Sequence, residues 1–176
     1  MSLDTETLLS RFLADGLLLG ALFSIVVVLS LLADPVVWLD DYPPDVRTMA
    51  PAELSGSVVV ESATAGALLL LVAGGFWLAE RRLERDLDRS LGFAGRFVYL
   101  WLLFQCVNVV DVVVVDWLIF TAWTPDFLVI PGTEGAAGYD DYLFHWRQSF
   151  LRSEPWVASL AVAALLAALT GWRSRG

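Results

Sequence analysis

The chain predicts an all-α integral membrane protein. The expected form is a four-helix bundle with both termini cytoplasmic and a long outer loop, containing an amphipathic helix, between the third and fourth spans. Three observations carry that expectation. Hydrophobic residues make up 57% of the 176 and the mean hydropathy is +0.66, an excess gathered in long blocks rather than in alternating patterns. The blocks cover residues 14–33, 58–79, 97–120 and 156–172, and a helix rising 1.5 Å per residue needs about 20 residues to cross a hydrocarbon core of about 30 Å. All eleven basic residues are arginine, and eight of them fall on one side if both termini lie inside, leaving Arg47, Arg147 and Arg152 outside. That asymmetry is the positive-inside pattern. The expected organisation is one membrane domain over residues 1–176, multi-pass in the cell membrane.

Composition also excludes classes of function. A net charge of −9 argues against a nucleic-acid partner, because phosphate binding needs basic surface. Cys106 is the single cysteine, so no internal disulfide and no CxxC redox or metal pair exists, and a thiol inside an apolar block reads as buried and inert. The first sixteen residues, MSLDTETLLSRFLADG, lack a basic region ahead of the apolar block and read as a retained first span, not a signal peptide. Ser2 and the C-terminal residues offer no lipidation motif.

In the first span Gly16, Gly20 and Ser24 recur every fourth residue, a small-residue face for close helix packing. Residues 34–57 hold four of the seven prolines and five acids against Arg47, and read as an acidic outer loop with short interfacial turns anchored by Trp38 and Tyr42. The second span carries Glu61 near its start and Ser62, Gly66, Gly74 and Gly75 within it. Between residues 80 and 96 acids and arginines alternate at helical spacing, as in a short solvated helix held by i,i+4 pairs. The last span repeats the small-residue row at Ala163, Ala167 and Gly171, so the lipid bilayer is the first partner and a homo- or hetero-oligomer through such faces the second.

The third span carries the chemistry. Gln105, Asn108, Asp111 and Asp116 interrupt it, and a charge near the middle of a spanning helix costs roughly 2.5–3.5 kcal/mol on insertion scales. On an α-helical wheel with Gln105 at zero, Asn108 falls at about 300°, Asp111 at about 240° and Asp116 at about 20°, one arc of about 140°. Glu61, on the antiparallel second span, is expected at the level of Asp116. No arginine lies inside the four blocks, so these carboxylates must share protons, hydrogen-bond to neutral groups or hold a cation.

Residues 121–155 begin with the apolar FLVI run between Pro125 and Pro131 and a glycine-rich turn, the pattern of a re-entrant or surface-lying hairpin. Residues 139–151 then read as an amphipathic helix, with Tyr139, Tyr142, Leu143, Trp146 and Phe150 on one face and Asp141, His145, Gln148 and Arg152 on the other. Asp141 stands one turn from His145, the only histidine, and reads as orienting it; alternatively His145, with Asp141 or Glu134, caps the carboxylate cluster from above. The expected site is therefore Asp111, Asp116, Glu61 and His145, taking a proton or a metal cation. A divalent ion such as Ca²⁺, Mg²⁺ or Mn²⁺ is the one cofactor that oxygen-rich set admits. No nucleophile motif surrounds Ser149 or Ser153, no catalytic residue is assigned, and the leaning is towards a non-enzymatic protein. An enzyme acting on a lipid-like substrate and a structural or partner-binding subunit are the alternatives.

Overall fold

The computed structural model describes residues 3–173. Ser2, Arg175 and the side chain of Arg173, which entered the lipidation and arginine arguments, lie outside the described residues. The described chain contains no strand and seven α-helices: α1 Leu3–Ala33, α2 Pro44–Met49, α3 Val58–Leu70, α4 Phe76–Asp86, α5 Phe93–Asp111, α6 Tyr142–Phe150 and α7 Ser153–Arg173. A π-helical turn, Leu71–Gly75, joins α3 to α4, and a longer π-helical segment, Val112–Trp123, prolongs α5. Four continuous helices, Thr5–Ala33, Val58–Asp86, Phe93–Trp123 and Ser153–Trp172, are long and apolar enough to cross a membrane.

The small residues of α1 set the closest helix contact. A Cβ on Gly16 would stand 2.6 Å from Cys106 Sγ, and one on Gly20 would stand 2.6 Å from Cβ of Val110. Glycine at both leaves room for the Cys106 and Val110 side chains, so α1 and α5 pack closely there. On the opposite flank Ala163 and Ala167 of α7 are buried in the same core as Leu100 and Leu103 of α5. Two of the small-residue faces are thus spent inside the bundle. Gly66 and Gly74 of the second span meet nothing within 4 Å.

One end of the bundle gathers arginines and acids from different helices. Arg96 of α5 is buried and pairs with Glu80 at 2.7 Å and Glu84 at 2.9 Å, both on α4. Glu84 also accepts from the Leu91 N–H at 2.7 Å. Asp15 of α1, 3% exposed, accepts from Arg82 and from the Tyr99 hydroxyl, each at 3.2 Å, while Arg11 pairs with Asp86. This corrects the expectation of a separate solvated helix with i,i+4 pairs over residues 80–96. The second long apolar helix runs on through Asp86, and its charges find partners on α1 and α5, across the bundle rather than along one helix.

The other end is capped by the long connections, which have a core of their own: Tyr42, Val46, Phe120, Leu128, Ile130 and Tyr139. Tyr42 is therefore not an interfacial anchor. Its ring packs edge-on to Phe120 at 5.1 Å, its hydroxyl donates to the Leu128 carbonyl at 2.8 Å, and burial pushes its phenol well above the ordinary value. Nor is the FLVI run a surface hairpin, since Leu128 and Ile130 are fully buried and the Ile130 N–H donates to the Tyr139 hydroxyl at 3.0 Å. Two aspartates tie the loops together: Asp34 accepts from the N–H of Val36 and of Ser57, and Asp45 accepts from the Gly138 N–H at 2.7 Å.

Candidate functional site

The winding of the third span decides where its carboxylates point. After Asp111 the helix loosens to π geometry, with Thr124 N–H donating to Ile119 O at 2.9 Å and Thr121 Oγ1 to Asp116 O at 2.8 Å, both five residues back. Thr124 in the left-handed region (φ 46°) and Pro125 then end it. At roughly 4.4 residues per turn, or about 82° per residue, five π-helical steps carry Asp116 to about 290° on the wheel, between Asp111 and Asn108. Regular α winding would have left it at about 20°. The π segment thus turns Asp116 onto the Asp111 face.

Asp111 and Asp116 open into a cavity of about 190 Å³ whose wall also includes Asp41, Tyr42, His145, Gln148 and Ser149. Asp111, Phe23 and Ser149 are shared with a second cavity of about 270 Å³, lined further by Gln105, Asn108, Trp156 and Ser159. The two adjoin, so a polar column runs along α5 from Asp116 through Asp111 and Asn108 to Gln105. Gln105 donates to Ser159 Oγ of α7 at 3.2 Å. Among the described residues no arginine lines either cavity.

His145 reaches the cavity because α6 turns its polar face inward. Tyr142, Leu143 and Trp146 are exposed, while His145, Gln148 and Ser149 line the cavity. Trp117 of the π segment fixes that orientation, donating to the Tyr142 carbonyl at 2.9 Å and stacking obliquely on Trp146 at 6.0 Å. Nδ1 of His145 lies 3.5 Å from Oδ1 of Asp116, with the side chains 11% and 14% exposed. That separation is just beyond a formed hydrogen bond. Nε2 of His145 and Oδ1 of Asp111 are buried without a hydrogen-bond partner among the described residues, so each has unused hydrogen-bonding capacity.

Electrostatics at the rim favour neutral forms of both signs. Burial lowers the His145 imidazole to about 4, against the opposing pull of the Asp141 charge. Partial desolvation, with the neighbouring Asp40 charge, raises the Asp41 carboxyl above its ordinary value, while Arg47 acts the other way. A base moved down and an acid moved up describe one cause, a medium that solvates charge poorly.

The four residues expected at the site do not all meet. Asp111, Asp116 and His145 line one cavity. Glu61 is exposed on the first turn of α3 and lines neither cavity. Asp141 caps α6 instead of orienting the imidazole, its Oδ1 accepting from the N–H groups of Leu143 at 2.9 Å and Phe144 at 3.1 Å. Glu134 is exposed and turned to the Gly132 N–H. The residue that sequence reasoning missed is Asp41, which ends the short 3₁₀ helix Pro35–Asp41. The acidic loop signalled its charge, but only the folding of that loop over the bundle brings it to the rim. Among the described residues no three histidine, cysteine or acidic side chains converge closely enough to hold a metal ion.

No protein-family model matches the chain, and no curated protein or solved structure matches it either. What the site can do therefore rests on its geometry.

Proposed function

We propose that this chain is a multi-pass protein of the cell membrane, with both termini cytoplasmic, that binds a proton within the membrane and exchanges it with the medium on the outer side. The proton is held by Asp116 and His145, with Asp111 the next acceptor inward and Asp41 at the outer rim. One observation carries the reading: Asp111, Asp116 and His145 face a common cavity that no arginine lines. An ionised carboxylate there has no fixed countercharge but the imidazole, and the lower-energy arrangement of such a set is neutral, with protons shared. The polar column through Asn108 to Gln105 extends the route towards the middle of the span. A proton is favoured over a divalent cation because among the described residues no three histidine, cysteine or acidic side chains converge on one point, and Glu61 lines neither cavity.

Infrared spectroscopy of the full chain in bilayers, with carboxyl-labelled aspartate, tests this. A protonated-carboxyl band that disappears as pH rises from 5 to 9, and that Asp116→Asn or Asp111→Asn diminishes, is the expected result. Carboxylates fully ionised at pH 5, with no change in either variant, would overturn it.

A second reading draws support from the larger cavity, whose mostly apolar wall of Phe23, Phe104, Val107, Trp156 and Val162 meets Asp111 at one end. That wall suits one chain of a lipid-like molecule with its polar end at the carboxylate. Trp156→Ala abolishing retention of a lipid through detergent purification, with the infrared band unchanged, would favour this reading over the first. Self-association through a small-residue face falls to the second long helix, where Gly66 of α3 and Gly74 of the π-helical turn remain open.

A further inference from the structure

Among the described residues, the charge pairing at the arginine end leaves Arg81 and Arg85 over. Glu80 and Glu84 are engaged by Arg96, Asp15 by Arg82 and Asp86 by Arg11. Arg81 and Arg85 have no ion-pair partner among the described residues, and both are exposed. They follow Trp77 at intervals of four along α4, so the three side chains form one stripe down a helix face. Trp77 is 39% exposed, and its neighbour Leu78 is exposed as well. The stripe therefore passes, within about two helical turns or roughly 11 Å, from exposed indole to exposed guanidinium. A cavity of about 120 Å³ lined by Trp77, Glu80, Arg81, Glu84 and Thr170 of α7 runs beside its upper part, and a second hollow, where Arg81, Arg85 and Arg89 stand with Glu84, Asp88 and Ser90, lies beside its lower part; Glu80 and Glu84 are both held by Arg96.

We infer that this stripe binds the headgroup of an anionic phospholipid. An amphipathic ring followed by planar bidentate donors one and two turns on matches the order of groups in such a lipid: acyl chain and glycerol ester against Trp77, phosphate against Arg81 and Arg85. Exposed arginines at the cytoplasmic end of a span, below an exposed tryptophan, are suited to that ligand class. The lipid is chosen over free phosphate because the site is continuous with the apolar flank of the second spanning helix, which a dissolved ion would not use. The inference rests on the four helices crossing a bilayer, and not on the proton reading, which concerns the opposite end of the molecule.

The test is native mass spectrometry of the full chain released from detergent, with phosphatidylglycerol and phosphatidylcholine of identical acyl chains supplied equally. Insertion into vesicles is checked separately by flotation, so loss of lipid preference is not confused with failure to enter a bilayer. The wild type is expected to retain phosphatidylglycerol over phosphatidylcholine by about fivefold for each arginine engaged. Arg81→Gln with Arg85→Gln should bring the two lipids to parity, Arg81→Lys with Arg85→Lys should keep a reduced preference, and Trp77→Ala should weaken both lipids alike. Equal binding of the two lipids by the wild type, or a preference surviving the double glutamine variant, would overturn the inference. So would binding of inorganic phosphate, with no lipid present, that the double glutamine variant abolishes.

Discussion

His145 is the residue on which the site's behaviour turns. Its nitrogens are divided between Asp116 at 3.5 Å and a buried position with no partner. Burial holds the imidazole near 4, against about 6.5 in an unfolded chain. The unfolded state then binds more protons than the folded state between those two values, so this residue's stability contribution is complete above about pH 6.5 and declines as pH falls towards 4. The expected outcome is a melting temperature in detergent that falls less between pH 7.5 and 5 for His145→Gln than for wild type. Asp41, raised rather than lowered, works in the opposite direction over the acid range, so the difference between variant and wild type isolates the histidine term. At the other end, Arg96→Ala would leave Glu80, 1% exposed, as a buried charge without its countercharge. A loss of about 3–5 kcal/mol is expected, read as a large drop in thermal stability, and Glu80→Gln combined with Arg96→Ala should recover part of it.

At the scale of elements, two helices behave in ways that a regular wheel does not describe. The π segment Val112–Trp123 moves Asp116 by about a quarter turn relative to α geometry, and α6 turns Tyr142, Leu143 and Trp146 outward. The periodicity of both stretches was legible: polar groups at 105, 108, 111 and 116 on one helix, and an amphipathic repeat over 139–151. What periodicity does not encode is helix pitch or which face meets the bundle. Those follow from Thr121 and Thr124 bonding to carbonyls of the preceding turn and from Trp117 gripping Tyr142 and Trp146. If α6 lies against hydrocarbon, a spin label at Leu143→Cys in a Cys106→Ser background should be reached by dissolved oxygen more readily than by a water-soluble nickel complex. The reverse ranking would place that face in water. The α1–α5 contact offers a harder limit: Gly20→Leu must displace Val110, whose Cβ would lie 2.6 Å from the new side chain's first atom. Overpacking of about 1–3 kcal/mol is expected, seen as a lowered melting temperature, whereas Gly66→Leu, facing open space, should change it little.

For the whole molecule, the division of labour runs between the ends. The arginine end is a lattice of cross-helix pairs linking α1, α4 and α5; the capped end is a loop core that closes over carboxylates left without arginine. Four apolar blocks and their approximate ends could be read from hydropathy alone, because length and composition fix what can cross a bilayer. The lattice could not, since Asp15, Glu80 and Arg96 acquire meaning only from partners on other helices. For the same reason sequence spacing gives the depth of Glu61 relative to Asp116 and not its facing, and Glu61 lines neither cavity. Asp116 and His145 are proposed to share a proton in a cavity that disfavours charge. Since the chain contains one histidine, a nitrogen-15 label on histidine gives one imidazole to follow across pH in the tag-free protein. The expected result is a neutral ring well below pH 6.5, with a titration that Asp116→Asn shifts. A ring that titrates near 6.5 and ignores Asp116→Asn would contradict it.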